Sequence, residues 1–143
     1  MKVFRGYIFS RSFMGERAPQ HVQNIVLRDY CARNRLHYLL SATEYAMVNC
    51  HLILEQVLVE LADIDGIVAY SLFQMPINQT QRLRVYERIL AQGKEIHFAV
   101  EGLGLTTQSD ILRLEDIWFV RETLADCVSA FPVASGEKTW AAC

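Results

Sequence analysis

Four near-continuous apolar runs punctuate the chain: "KVFRGYIF" (2–9), "LHYLLSA" (36–42), "GIVAYSLF" (66–73) and "EIHFAVEGL" (95–103). Runs of this length that do not alternate strictly predict strands covered on both faces, as in a parallel sheet. Between them the spacing of apolar residues turns helical. Over 18–34, Val22, Ile25, Val26, Tyr30 and Cys31 form a stripe, and Pro19 suits a first helical turn. Asn49 is the expected N-cap of a helix over 50–63, whose stripe runs through Leu52, Leu54, Val57, Leu58 and Leu61. Asp65-Gly66 marks the turn into the third strand. Asn78 precedes a helix over 79–93 with Gly93 as its stop, and Ser109 precedes a last helix over 110–124.

Strand and helix in alternation predict right-handed βαβ units, hence an α/β domain with helices on both faces of a mainly parallel sheet. One domain is expected over 1–124. The tail 125–143, with Pro132, Ser135, Gly136 and Trp140, loses periodicity and reads as a loosely ordered extension.

Composition narrows the function classes. With 143 residues, 52% of them hydrophobic, the chain supports one core. A net charge of −2 argues against a dedicated nucleic-acid binder, which carries a basic face. No apolar run approaches the roughly 18 residues of a membrane span, and no secretory leader is apparent. Cys31, Cys50, Cys127 and Cys143 form no CxxC pair and read as reduced thiols, so a cytoplasmic protein is expected. There is no metal-ligand spacing, no Walker loop and no GxGxxG, so neither a metal nor a cofactor is expected.

In an open α/β sheet, ligands bind beyond the carboxyl ends of the strands. Those ends carry the candidate chemistry. The first strand opens onto Ser10, Arg11 and Ser12, with Arg17 and Gln20 beyond. The second ends on Ser41, Glu44, Tyr45 and Asn49, the third on Tyr70 and Ser71, and the fourth on Glu101. A guanidinium fork matches a carboxylate or phosphate, so Arg11 and Arg17 are the expected anion contacts. Glu44 and Glu101 are the candidate acid and base, with Ser10 as a further reactive group. Gln20, Ser41, Asn49 and Ser71 are expected to meet hydroxyls, and Tyr45 and Tyr70 to flank a ring. His37 and His97 fall near strand starts, away from this site, and are expected at the surface. The "NCH" triplet points His51 about 100° away from Cys50 on a helix, against a Cys/His pair.

Two resemblances extend this reading. The segments "GYIFSR" (6–11), "PQHVQNIVLRDYCARNRL" (19–36), "GIVAYSLFQMP" (66–76) and "ILAQGKEIHFAVEGL" (89–103) follow the element order of the serine recombinase (resolvase) catalytic domain. That likeness implies a three-layer resolvase-like domain with a four-stranded sheet in the order 2-1-3-4. It does not extend to the catalytic residues. Phe9 falls where the recombinases carry an arginine, Arg11 falls at the nucleophilic serine, and "SLFQMPINQ" replaces their arginine-bearing segment.

The blocks "FRGYIFSRSF", "PQHVQN", "LSATEYAM", "LEQVL", "DGIVAYSLF" and "FAVEGL" resemble the sporadic carbohydrate cluster proteins, encoded among genes for bacterial surface glycans. This resemblance implies a protein of lipopolysaccharide or capsule biosynthesis; with Arg11 and Arg17 as anion contacts, the expected ligand is an anionic sugar, either a sugar phosphate, a nucleotide sugar or an acidic sugar. As an enzyme it would be an isomerase, epimerase or lyase. The alternatives are a non-catalytic partner of a pathway enzyme and a recombinase-derived domain without recombinase activity. No nucleic acid and no membrane span are expected. The apolar positions Ile111, Leu114, Ile117, Trp118, Phe119 and Val120 of the last helix suggest a homodimer.

Overall fold

The computed structural model describes residues 1–130, with side-chain surroundings through Ala125. The expectations for Pro132, Ser135, Gly136 and Trp140 lie outside the described residues. Residues 1–111 form one compact unit, and residues from 112 onward belong to a second.

The first unit alternates as expected: β1 (Val3–Phe9), α1 (Gln20–Arg33), β2 (His37–Glu44), α2 (Leu52–Glu60), β3 (Gly66–Ala69), α3 (Gln79–Ala91), β4 (Glu95–Phe98) and β5 (Leu103–Leu105). The sheet runs β2-β1-β3-β4-β5. β1 pairs in parallel with β2 and β3, and β3 with β4, while β5 returns antiparallel to β4. The expected order 2-1-3-4 therefore holds, with a fifth strand added. It arises because "EIHFAVEGL" is not one strand. The ladder stops at Phe98, Gly102 supplies the left-handed φ of 65° that a turn needs, and the chain doubles back. Glu101 consequently sits on a turn.

β3 likewise stops early. The Ser71 hydroxyl accepts from the Phe73 N–H at 3.2 Å and the Gln74 side chain accepts from the Ser71 N–H at 3.4 Å. This capping box converts "SLFQ" from strand into a short 3-10 turn, Leu72–Gln74. β2 has one extra residue against β1, since Arg5 faces Leu39 but Tyr7 faces Ala42. Gly6 lies at this bulge because a Cβ there would strike the Ser41 and Tyr38 side chains.

α1 covers one face of the sheet, where Phe4, Ile8 and Val68 pack with Leu27, Tyr30 and Cys31. Burial pushes the Cys31 thiol up to about 11, so it behaves as a small apolar residue. On the opposite face Arg5 pairs with Glu60 of α2, and Tyr7 reaches Glu44 at the end of β2. α3 lies beside α2, burying Val85, Tyr86 and Ile89, and Asn78 caps it by accepting from the Gln81 N–H at 3.0 Å.

His97 is not the surface residue expected. It is mostly covered, with Nδ1 2.7 Å from the Tyr30 hydroxyl and Nε2 2.8 Å from Glu95, and Lys2 pairs with the same carboxylate. The cluster ties the start of β1 and the end of α1 to β4.

Across both units runs α4 (Gln108–Ala130), longer at both ends than the expected 110–124. Asp110, rather than Ser109, organises its start by accepting from the Thr106 and Thr107 N–H groups, both at 3.0 Å.

Candidate functional site

The sheet order reverses between β1 and β3, and the loops after β1, β2 and β3 meet there. In the first loop, Phe13 and Glu16 exchange both backbone hydrogen bonds at 2.8 Å around Met14 and Gly15, whose φ values are 49° and 77°. Two successive left-handed residues make a tight reversal. It holds Phe13 inward, edge-on to Phe9 and Tyr70.

Beneath the loops lies a buried amide network. The Gln23 side chain from α1 accepts from the Phe9 N–H at 3.0 Å and donates to the carbonyls of Phe9 at 2.9 Å and Ala18 at 2.8 Å. It also accepts from the Gln74 side chain at 2.9 Å. Both amides are fully buried. Together they lock the end of β1, the entry to α1 and the turn after β3 into one arrangement.

Two clefts adjoin at Asn49 and His51. The larger, of about 330 Å³, is lined by Asn49, Cys50, His51, Gln81, Arg84 and Arg88 among others. The smaller, of about 100 Å³, is lined by Arg11, Ser12, Phe9, Phe13, Val48 and Ile77 among others. Asn49 and His51 belong to both.

Of the residues read from sequence, Arg11 and Asn49 line these clefts. The Arg11 guanidinium lies 4.1 Å from the centre of the Phe9 ring and donates to the Tyr45 carbonyl at 2.6 Å. It is thereby held in place with donors to spare. Asn49 has a φ of 60°, in the left-handed region that asparagine tolerates better than most residues.

The two carboxylates sit elsewhere. Glu44 is 1% exposed and accepts from the Tyr7 hydroxyl at 2.9 Å and from the N–H groups of Tyr45, Ile53 and Leu54 at 3.0–3.1 Å. It therefore caps α2 from outside the helix, replacing the expected cap by Asn49. Glu101 accepts from the Ser71 hydroxyl at 2.8 Å and the Leu72 N–H at 2.7 Å, holding the turn after β3. Ser10 donates to the Glu44 carbonyl at 2.7 Å, Ser41 is bonded to the Tyr38 hydroxyl within β2, and Ser71 is buried. Tyr45 and the half-buried Tyr70 line neither cleft, nor do the exposed Arg17 and Gln20.

Two protonation states follow from these surroundings. Burial and the neighbouring Glu44 charge push the Tyr7 hydroxyl far above its ordinary range, so it remains a donor. Burial holds His51 below its usual 6.5, and its ring faces the Gln74 carbonyl at 3.3 Å. His51 is thus neutral near neutral pH and is not aimed at Cys50.

Sequence reasoning missed one row of this site. Gln81, Arg84 and Arg88 fall at helical spacing on one face of α3, a signal present in "QTQRLRVYERIL". Arg88 is paired with Glu55, whereas Arg84 has no carboxylate partner among the described residues.

The chain matches no protein-family model and no curated protein sequence. Solved structures do match it. A resolvase family site-specific recombinase from Streptococcus pneumoniae superposes with a TM-score of 0.59 at 9% identity, covering 89% of this chain and 97% of that one. The N-terminal catalytic domain of TP901-1 integrase superposes with a TM-score of 0.53 at 12% identity, covering 86% and 98%. The fold is resolvase-like: an α/β domain on a five-stranded, mostly parallel sheet. At these identities the likeness concerns the fold alone. Among the described residues, no helix is long and apolar enough to cross a membrane.

Proposed function

We propose that this is a cytoplasmic protein of bacterial surface-polysaccharide biosynthesis, a sporadic carbohydrate cluster protein, whose clefts bind an anionic sugar. The observation that carries this reading is Arg11. Its guanidinium is fixed against Phe9 and Tyr45 at the edge of a cleft that also presents Asn49 and Ser12, at the place where α/β sheets bind ligands. A pre-positioned cation with amide and hydroxyl donors suits a phosphate or carboxylate on a polyhydroxylated ring.

The carboxylates favour binding over conversion. Glu44 and Glu101 both spend their oxygens on the backbone and on neighbouring hydroxyls, which supports the second reading: a non-catalytic sugar-binding partner of a pathway enzyme. On that reading the chain pairs as a homodimer through the exposed Leu112, Phe119 and Val120 of α4.

Calorimetric titration of glucose 1-phosphate into wild type and Arg11→Ala tests the site. Loss of a charge-assisted contact weakens binding by about 1.5–3 kcal/mol. The lost stacking and backbone contacts also lower stability by roughly 1–2 kcal/mol, read from thermal melts. Equal affinity in the two proteins would remove Arg11 from the site.

A further inference from the structure

The two clefts share the Asn49–His51 wall but differ in chemistry. On one side stand the polar groups of Gln81 and Arg84. On the other, Phe9, Phe13, Phe73 and Met75 enclose a space of about 100 Å³. Each side carries one arginine without a carboxylate partner: Arg84 has none among the described residues, and the hydrogen bond of Arg11 goes to a backbone carbonyl. The wall between them is uncharged near neutral pH, because burial keeps His51 neutral.

From this pairing we propose that the ligand is a nucleoside diphosphate sugar, with its base in the smaller cleft, its diphosphate across the Asn49–His51 wall between Arg11 and Arg84, and its sugar in the larger cleft. The proposal rests on the reading that the site takes an anionic sugar, and it narrows the class. A simple sugar phosphate has one anionic centre and nothing to fill an aromatic pocket. A diphosphate ester has two anionic groups in sequence, matching two cations separated by a wall, and carries a flat ring at one end. The smaller cleft is too short for a lipid chain, and its aromatic walls suit a planar heterocycle. The larger cleft offers the amides of Asn49 and Gln81 and the carboxylate of Glu55, groups that sort hydroxyls.

Calorimetry with UDP-glucose, GDP-mannose, dTDP-glucose and glucose 1-phosphate tests this against wild type, Val48→Trp and Arg84→Ala. Val48 is 83% exposed at the rim of the smaller cleft, so the indole blocks the pocket without disturbing the core. At least one nucleotide sugar should bind tenfold or more tightly than glucose 1-phosphate. Val48→Trp should abolish that advantage, and Arg84→Ala should weaken the nucleotide sugar about tenfold. Ile77→Trp, on the same rim, repeats the block should Val48→Trp fail to fold. Glucose 1-phosphate binding with no nucleotide advantage would overturn the proposal and leave the anionic-sugar reading standing. Absence of binding by all four probes would overturn both. Nucleotide-sugar binding indifferent to the blocking and Arg84 substitutions would overturn the placement.

Discussion

The Tyr7 hydroxyl, midway along β1, donates a 2.9 Å hydrogen bond to the Glu44 carboxylate at the end of β2. The same carboxylate receives the first N–H groups of α2, so one buried anion joins two strands to the helix behind them. A buried charge survives only when its lone pairs are satisfied, and here the Tyr7 hydroxyl, three backbone N–H groups and the Cys50 thiol do so. Tyr7→Phe removes a hydrogen bond to a charged acceptor and should cost about 1.5–3 kcal/mol, read as a shift in urea midpoint. Glu44→Ala orphans several donors and should cost more than Tyr7→Phe. Near-wild-type stability in Glu44→Ala would dismiss this joint.

The Gln23 amide makes four hydrogen bonds with no exposure to water. Gln23→Leu, close in volume, should lose about 1–3 kcal/mol for each buried group it leaves unpaired. Hydrogen exchange should show faster opening of the Phe9 amide in particular. Unchanged exchange at Phe9 would mean that the network does not hold the end of β1.

Acid should act on Glu95. Burial alone would raise its carboxyl, but hydrogen bonds from Lys2 and His97, with their charges, pull it below its ordinary 4.5. With the folded value depressed, the unfolded chain takes up the proton first. This group's stabilisation is therefore whole above about pH 4.5 and is lost as pH falls through the folded value. Urea midpoints of wild type and Glu95→Gln should differ near pH 7 and converge toward pH 3. A constant gap would contradict the linkage.

The exposed Leu112, Phe119, Val120 and Leu124 of α4 predict self-association. Light scattering at micromolar concentration should give twice the chain mass of 16.4 kDa, and Phe119→Glu with Val120→Glu should return the monomer. A wild-type monomer would exclude the dimer.

Sheet order and helix positions were legible because apolar runs and helical stripes mark what is buried, and β1 was correctly read as central. The ends of β3 and β4 were not legible. Ser71 and Gln74 cap a turn through side chains that resemble continuing strand, and Gly102 reverses a chain whose flanks are equally apolar. The polar residues at the strand ends posed a second difficulty. Residue type alone does not separate a carboxylate facing a ligand from one capping a helix, and Glu44 needed the position of α2 to be understood. Arg84 was not legible because it lies on the face of α3, and an exposed helix arginine carries no signal that it borders a cleft.

On the proposed reading, an anionic sugar binds where Arg11, Asn49 and His51 meet. The most direct measurement is a 1H–15N titration of the labelled protein with UDP-glucose and with glucose 1-phosphate. Saturable shifts are expected at the amides of Arg11, Ser12, Asn49 and His51, with the Tyr30–His97 cluster unmoved. Saturable shifts confined to residues outside the two clefts, or none with either ligand at millimolar concentration, would contradict it.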